Sequence, residues 1–166
     1  MSQFVSAARA LAVAALVGGY AWMCPATATA DSNSAALAGM LSKGYSTSNC
    51  KPDQVEGALA AFKCGQNTLP GGPVKAAYLL YGNSSDTSEG FKGLASDLTL
   101  VPCEPGASAP DSWHYQSSPD TPAGKVACGT SEDVAGVVWT NDQNHMAALV
   151  AGSDAKSLRK WWLANG

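Results

Sequence analysis

Four cysteines that follow residue 30 restrict the folds open to this chain more than any other feature of its sequence. Cys50, Cys64, Cys103 and Cys128 form an even set, and the N-terminus predicts export to an oxidising compartment, where cysteines pair. Four cysteines permit three pairings. We favour Cys50 with Cys64 and Cys103 with Cys128, because each pair is close in sequence and brackets a segment that contains proline or glycine. Each closed loop then contributes roughly 3 kcal/mol in a chain-entropy treatment.

Reduced thiols and a zinc site are the alternatives to two disulfides. The sequence has no C-x-x-C pair, and His114 and His145 both lie far from any cysteine. Structural zinc sites usually combine closely spaced cysteines and histidines, so this spacing argues against zinc. We therefore predict no metal site and no cofactor.

The first 30 residues have the order of segments that is typical of a secretory signal peptide. Arg9 comes before an apolar stretch from Leu11 to Met23, which is followed by the small-residue sequence Ala28-Thr29-Ala30. We expect cleavage after Ala30, which leaves a single extracytoplasmic domain over residues 31–166. The apolar stretch is shorter than the roughly 20 residues of a membrane-spanning helix, so we expect no stable membrane span after cleavage.

Cys24 offers a second interpretation of the N-terminus, in which cleavage just before it exposes a lipidated cysteine. Met23 stands where such processing requires a small residue, so we favour the ordinary signal peptide. Both interpretations place the domain outside the cytoplasm, either secreted or associated with the cell envelope.

Composition and charge exclude two classes of protein. Hydrophobic residues make up 46% of the chain, which is too many for a disordered protein. Loss of Arg9 with the signal peptide leaves nine basic and thirteen acidic residues, a net charge of −4. A modestly acidic chain without clustered cations is poorly suited to the phosphate backbone of a nucleic acid, so we expect no nucleic-acid partner.

Hydrophobic periodicity predicts an α+β domain. Apolar residues with helical spacing occur over 33–43 and 91–98, and a last helix begins after Ser153 or Asp154. Short apolar runs bounded by turn residues predict strands at 58–64, 74–81, 98–103, 125–129, 134–140 and 146–151. Most links between strands are as short as hairpins. We therefore expect an antiparallel sheet of about five or six strands, with helices packed on one face and two disulfides.

The segment 104–124 is an unusually long loop for a compact domain. It contains four prolines around the aromatic sequence Trp113-His114-Tyr115, and Cys103 and Cys128 flank it. Long loops in compact domains are usually anchored or functional. We expect the flanking disulfide to anchor this one.

A set of cysteine, glycine, proline and aromatic positions resembles a known protein group. The shared elements are Gly44-Tyr45, Cys50, Cys64-Gly65-Gln66-Asn67, Gly72-Pro73, Tyr78-Leu79-Leu80-Tyr81, Phe91, Cys103, Trp113-His114-Tyr115, Gly124, Cys128-Gly129, Val138-Trp139-Thr140, Leu158 and Trp161-Trp162. The pattern is similar to that of small exported actinobacterial, chiefly mycobacterial, proteins of unassigned function. It is also similar to modules on the outer side of some membrane-anchored serine/threonine kinases. The resemblance spans residues 33–163.

The resemblance implies a released or wall-associated binding module. The chain differs from the kinase form because its sequence contains no kinase domain and no membrane helix. The resemblance therefore does not extend to signalling through the chain itself. The expected partner is a small molecule, a cell-wall component or a protein.

Aromatic residues in the C-terminal half suggest where a ligand binds. Trp and Tyr offer rigid apolar faces with a polar atom, and they often anchor ligands and sugars. Trp161 and Trp162 differ by about 100° around a helix, so we expect one of them at the edge of the core. We predict a ligand groove lined by Trp113, Tyr115 and Trp162, with ordinary burial of these rings as the alternative.

An enzymatic function is the second hypothesis, and we favour a non-enzymatic one. The candidate is a small secreted hydrolase that uses His114 with Asp111 or Asp142. The sequence has no nucleophile elbow, zinc-protease motif or phosphate-binding glycine loop, so we assign no catalytic residue. We interpret the alternation in Trp113-His114-Tyr115 as a strand with both rings inward and the imidazole outward, and His145 as a surface residue. A structural or immunomodulatory protein without any pocket is a third hypothesis.

Three basic residues, Lys156, Arg159 and Lys160, lie beside the two tryptophans of the last helix. Such cations complement the dipole near a helix C-terminus and need no ligand. Attachment to an anionic lipid or wall polymer is the alternative, although three charges are few for it.

Overall fold

A computed structural model describes residues 26–166 of the chain. The predicted signal peptide, with Cys24, lies outside the described residues except for its last five, which begin the first helix. No helix in the described part of the chain has the length and apolar character needed to cross a membrane.

The described chain is an α+β domain built on one antiparallel sheet. Its elements in chain order are α1 (Ala26–Ala38), β1 (Cys50–Asp53), β2 (Ala60–Cys64), β3 (Lys75–Leu80), α2 (Ser84–Ala95), β4 (Thr99–Val101), β5 (Asp111–His114), β6 (Pro122–Ser131), β7 (Val134–Asn141), β8 (Met146–Gly152) and α3 (Ala155–Asn165). The strand order is β1-β2-β3-β8-β7-β6-β4, and β5 pairs with β6 on the same edge as β4. This order brings the last two strands into the centre of the sheet.

The sheet has eight strands in residues 26–166, more than the five or six predicted. The two additional strands, β1 and β5, lie at the edges and are four residues long. The turn-forming residues around β1 predict a loop instead of a strand. Strand β5 overlaps the segment Trp113-His114-Tyr115, for which a strand was the favoured interpretation, but it was not counted among the five or six. Pro52 within β1 is tolerated because an edge strand leaves one side of its backbone unpaired.

Helices cover both faces of the sheet, so the prediction that they pack on one face is wrong. Helices α1 and α3 pack on the face formed by residues such as Tyr78 and Val137, whereas α2 packs on the face formed by Leu79 and Val138. Successive residues of these strands are buried on opposite faces. A sheet that is apolar on both sides needs two covering layers. We call the two sides the α3 face and the α2 face.

The helix boundaries differ from the sequence expectation at two ends. Helix α1 runs from Ala26 to Ala38 rather than over 33–43, with Leu37 fully buried against the sheet. Helix α2 begins earlier than the predicted stripe, because the Asn83 side chain accepts a hydrogen bond from the Asp86 backbone N–H at 3.0 Å. The cap of α3 is Asp154, one of the two predicted candidates, which accepts from the Ser157 N–H at 2.6 Å.

Both predicted disulfides are present. Cys50 and Cys64 are directly opposite each other in the β1–β2 pair. Cys103, which follows β4, is bonded to Cys128 in β6. The first bridge fixes the edge strand β1, and the second fixes the start of the long loop that contains β5.

We predict that the double substitution Cys50→Ala and Cys64→Ala lowers the free energy of unfolding by about 3 kcal/mol. The bridge spans a sequence separation of 14 residues, and its loss restores that loop's freedom to the unfolded chain. The urea midpoint of the purified protein measures the effect. A midpoint equal to that of the unsubstituted protein would contradict a stabilising role for this bridge.

A glycine allows β5 and β7 to approach on the α3 face. Trp113 in β5 pairs with Gly124 in β6, and the indole Nε1–H of Trp113 donates to the Thr140 carbonyl of β7 at 2.7 Å. A Cβ atom on Gly124 would collide with that same carbonyl oxygen. Gly124 is therefore required for the position of the Trp113 ring.

We expect Gly124→Ala to destabilise the protein by about 1 to 3 kcal/mol, as overpacking does. The resonance of the Trp113 indole N–H should also shift, because the acceptor carbonyl must move. Thermal unfolding and an NMR spectrum check the two effects. Gly93→Ala is the matched control, because a Cβ there meets no atom within 4 Å and alanine favours helix α2. Equal melting temperatures for the two variants would disprove the steric role of Gly124.

Two tyrosines lie in the core of the α3 face. Tyr45 and Tyr78 are both buried and contact each other edge to face, with ring centroids 5.8 Å apart. Desolvation of the phenol raises the pKa of Tyr45 to about 12 and also raises the pKa of Tyr78. The folded state therefore holds both phenols in the neutral form.

The raised pKa values predict a loss of stability in alkali. An unfolded tyrosine ionises near pH 10, so the stabilisation is complete below about pH 10 and declines as the pH rises towards the folded pKa of Tyr45, about 12. We expect Tyr45→Phe to weaken this decline, because the variant loses one of the phenols that ionise on unfolding. Urea midpoints at about pH 8 and about pH 11 make the comparison. An identical pH dependence in the variant would contradict the assignment to Tyr45.

Candidate functional site

The Trp113 ring links strand β5 to the core. Trp113 is half-buried on the α3 face, and its hydrogen bond to the Thr140 carbonyl fixes the indole plane. The Tyr115 hydroxyl accepts a hydrogen bond from the Asn141 side-chain amide at 2.9 Å. Both aromatic residues of the predicted loop are therefore tied to the end of β7 rather than held by the loop alone.

Seven aromatic rings form a continuous series of edge-to-face contacts from the core to the surface. Adjacent ring centroids are 4.8 to 6.2 Å apart, within the range of favourable aromatic pairs. In order, the rings are those of Trp161, Tyr45, Tyr78, Trp139, Trp162, Trp113 and Tyr115. The inner members are buried, whereas Tyr115 is 44% exposed. The surface end of this series is consequently supported by rigid core packing.

A groove of about 790 Å³ lies at the surface end of the aromatic series, between β5 and helix α3. Trp113, Tyr115 and Trp162, the three residues predicted to bind a ligand, all line it. Leu163 also lines the groove and is 61% exposed. We refer to this feature, defined by Trp113, Tyr115, Trp162 and Leu163, as the aromatic groove.

Trp161 and Trp162 are both buried, so the expectation that one lies at the edge of the core is wrong. Trp161 packs against Tyr45, while Trp162 packs against Trp139 of the sheet and Trp113 of β5. The reason is that β5 supplies a second wall beside the sheet, which covers the indole that would otherwise reach solvent. Trp162 therefore forms the floor of the aromatic groove while its ring is packed against its neighbours.

A cation lies over the floor of the aromatic groove. The Arg159 guanidinium is 4.8 Å from the ring centroid of Trp162, and its Nη2 atom donates to Glu104 Oε1 at 2.8 Å. Arg159 and Glu104 both line the groove. The sequence indicates a helix-dipole role for Arg159, with an anionic lipid or wall polymer as the alternative. It does not indicate the pair with Glu104, which lies 55 residues away and is connected to Arg159 by no periodicity. Leu163 was also not predicted to line the groove, although its position directly after Trp162 in the sequence places it close to that residue.

The candidate catalytic residues are not hydrogen-bonded to one another. The His114 side chain is exposed and makes no hydrogen bond or ion pair with any described residue, although His114 and Asp111 line the same groove. Asp111 accepts from the Ser112 backbone N–H, and Asp142 accepts from the Thr140 hydroxyl at 2.6 Å. Within residues 26–166, the His114 side chain therefore has no hydrogen bond to Asp111 or Asp142, which the hydrolase hypothesis pairs with it. His145 is half-buried rather than fully at the surface.

Residues 26–166 contain no group of three or more histidine, cysteine or acidic side chains placed to hold a metal ion. The four cysteines of this region are all in disulfides. Their sulfur atoms are therefore engaged in structural bonds.

A second, smaller groove of about 370 Å³ lies on the α2 face, between α2 and the β1–β2 end of the sheet. Its apolar floor includes Leu79 and Leu94, and its rim includes four acidic residues, Asp53, Glu56, Asp86 and Glu89. Phe62 and Tyr81 are its aromatic lining residues. The aromatic groove is larger and combines ring faces with a cation, so it is the stronger candidate site.

Comparison of the chain with protein-family models, with curated proteins and with solved structures found no match.

Proposed function

We propose that this protein is an extracytoplasmic binding module that takes up an envelope-derived small molecule, wall fragment or protein segment in the aromatic groove. The observation that supports this most is the convergence of Trp113, Tyr115 and Trp162 on one concave surface. Trp162 is remote in sequence from Trp113 and Tyr115, and the fold brings it beside them. The groove volume of about 790 Å³ lies within the usual range for ligand sites.

Preorganisation supports the proposal. Trp113 is held by its hydrogen bond to β7, and Tyr115 by the Asn141 amide. The Cys103–Cys128 disulfide anchors the start of the loop that carries both residues. Because these side chains are already ordered, a ligand loses little of its binding energy to the ordering of the site.

Exposed apolar surface at the groove also supports a binding role. Tyr115 and Leu163 remain accessible although neighbouring rings are buried. Solvent-exposed aromatic and aliphatic side chains around a concave site commonly contact ligands. The two disulfides fit an oxidising compartment, in line with the export predicted from the N-terminus.

We do not propose the hydrolase. Its only candidate base, His114, is exposed, and the two carboxylates considered with it already accept hydrogen bonds from other residues. A binding function requires none of these groups to meet.

We predict that Tyr115→Ala combined with Leu163→Ala weakens ligand binding about tenfold while the fold is retained, because both side chains are largely exposed. The probe is a mixture of soluble peptidoglycan fragments released by a muramidase. The measurement is the change in tryptophan fluorescence on titration of the mature, oxidised protein, since Trp113 and Trp162 line the groove.

Val134→Ala provides the control for this experiment. Val134 is an exposed apolar residue of β7 that does not line the aromatic groove. We expect its variant to bind the fragments as the unsubstituted protein does. Equal binding by the Tyr115/Leu163 double variant would show that the site is elsewhere, and absence of any fluorescence change with the unsubstituted protein would exclude wall fragments as the ligand.

A further inference from the structure

Arg159 has more hydrogen-bonding capacity than the protein uses. Its side chain is 15% exposed, and one of its three nitrogens, Nη2, donates to Glu104. The other two, Nε and Nη1, are buried and have no partner among the described residues. A guanidinium can bind an anion through two parallel hydrogen bonds, so a single contact leaves this capacity unmet.

The position of the guanidinium directs it towards a ligand of the aromatic groove. Its carbon atom lies over the Trp162 ring, and Trp162 contacts Trp113 in turn. Stacking on an indole holds the plane of the guanidinium and orients its edge. An apolar ring placed in the groove would therefore lie within reach of a fixed cation.

Glu104, the ion-pair partner of Arg159, can be replaced by an anion of a ligand. Glu104 is 63% exposed and follows Cys103 on the surface of the loop. An ion pair with one exposed partner contributes little stability because water competes for the carboxylate. Release of Glu104 to solvent therefore costs little.

We infer that the aromatic groove selects ligands that combine an apolar ring with an anionic group, either a carboxylate or a phosphate. The anion replaces Glu104 on Nη2 of Arg159, while the ring packs between Trp113, Tyr115 and Leu163. This inference rests on the proposed function and specifies the chemistry of its ligand.

Other polar side chains at the groove are compatible with this exchange. Asp111 and His114 also line it. One Asp111 oxygen accepts from the Ser112 backbone N–H, which places that carboxylate against its own strand. Because the ligand anion takes the place of the Glu104 carboxylate, Arg159 remains paired with one negative charge before and after binding.

Three probes with the same ring system test the inference: naphthylacetate, naphthyl phosphate and the neutral naphthylacetamide. Binding to the mature, oxidised, ¹⁵N-labelled protein is followed by NMR through the indole resonances of Trp113 and Trp162. We expect the anions to bind about tenfold more tightly than the amide, since hydrogen bonds to charged groups are the stronger ones. The relative affinities of the acetate and the phosphate decide between the two sources of the anion.

Glu104→Gln is the decisive variant, because it removes the competing charge at an exposed position. We expect it to strengthen binding of the anionic probes about twofold to fivefold and to leave the amide unchanged. Glu89→Gln, an identical change on helix α2 outside the groove, is the control and should have no effect on any probe. Equal strengthening in both variants would attribute the effect to net charge and overturn the exchange with Glu104.

Arg159→Gln should reduce binding of the anions to the level of the amide, and Lys160→Gln, its exposed neighbour, should not. Circular dichroism shows whether the Arg159 variant is folded. If it is not, the binding measured with Glu104→Gln still tests the exchange of the anion with Glu104. Equal binding of all three probes to the unsubstituted protein would overturn the anion selectivity while leaving the groove as a ligand site. Absence of groove shifts with every probe would overturn both the selectivity and the apolar-ring ligand on which it rests.

Discussion

The contact between Trp139 and Trp162 connects the sheet to helix α3, and the packing of the α3 face depends on it. Trp139 lies in the central strand β7, and Trp162 lies on α3, with ring centroids 5.9 Å apart. Because Trp139 also contacts Tyr78 and Trp162 also contacts Trp113, this pair joins the central sheet, the last helix and strand β5. Large aromatic rings bury much apolar area and favour edge-to-face geometry, so the series both stabilises the fold and fixes the angle between its elements.

The candidate site is an extension of this core rather than a separate addition to the surface. The floor of the aromatic groove is the buried Trp162 ring, and its wall is Trp113, which is bonded to the backbone of β7. Such a site is rigid because its side chains cannot rearrange without disturbing core packing. Its polar component, the Arg159–Glu104 pair, lies at the rim, where an exposed carboxylate exchanges at low cost. The groove thus combines rigid aromatic surface with an ion pair that has one exposed partner.

Short-range sequence patterns predicted the strands and disulfides that depend on residues close together in the chain. The six strands expected from short apolar runs are all present as β2, β3, β4, β6, β7 and β8, and the pairing of the cysteines was predicted from their spacing. Strand β1 was not predicted, because edge strands carry turn residues and prolines that a buried strand excludes. Strand β5 was predicted in part, because the alternation in Trp113-His114-Tyr115 indicates an extended segment. The covering of both faces was also missed, although Leu79 and Val138 beside Tyr78 and Val137 already show strands that are apolar on both sides.

The sequence alone determined the α+β character, favoured one of three disulfide pairings and indicated the three aromatic residues that line the groove, since each prediction uses residue type and short-range spacing. Tertiary structure alone decided that Trp113 reaches Trp162, that Gly124 admits the Thr140 carbonyl, and that Arg159 pairs with Glu104. These contacts join residues that are far apart in the chain. They form only when the antiparallel order places β5 and α3 side by side, because no local preference encodes a distance between remote segments.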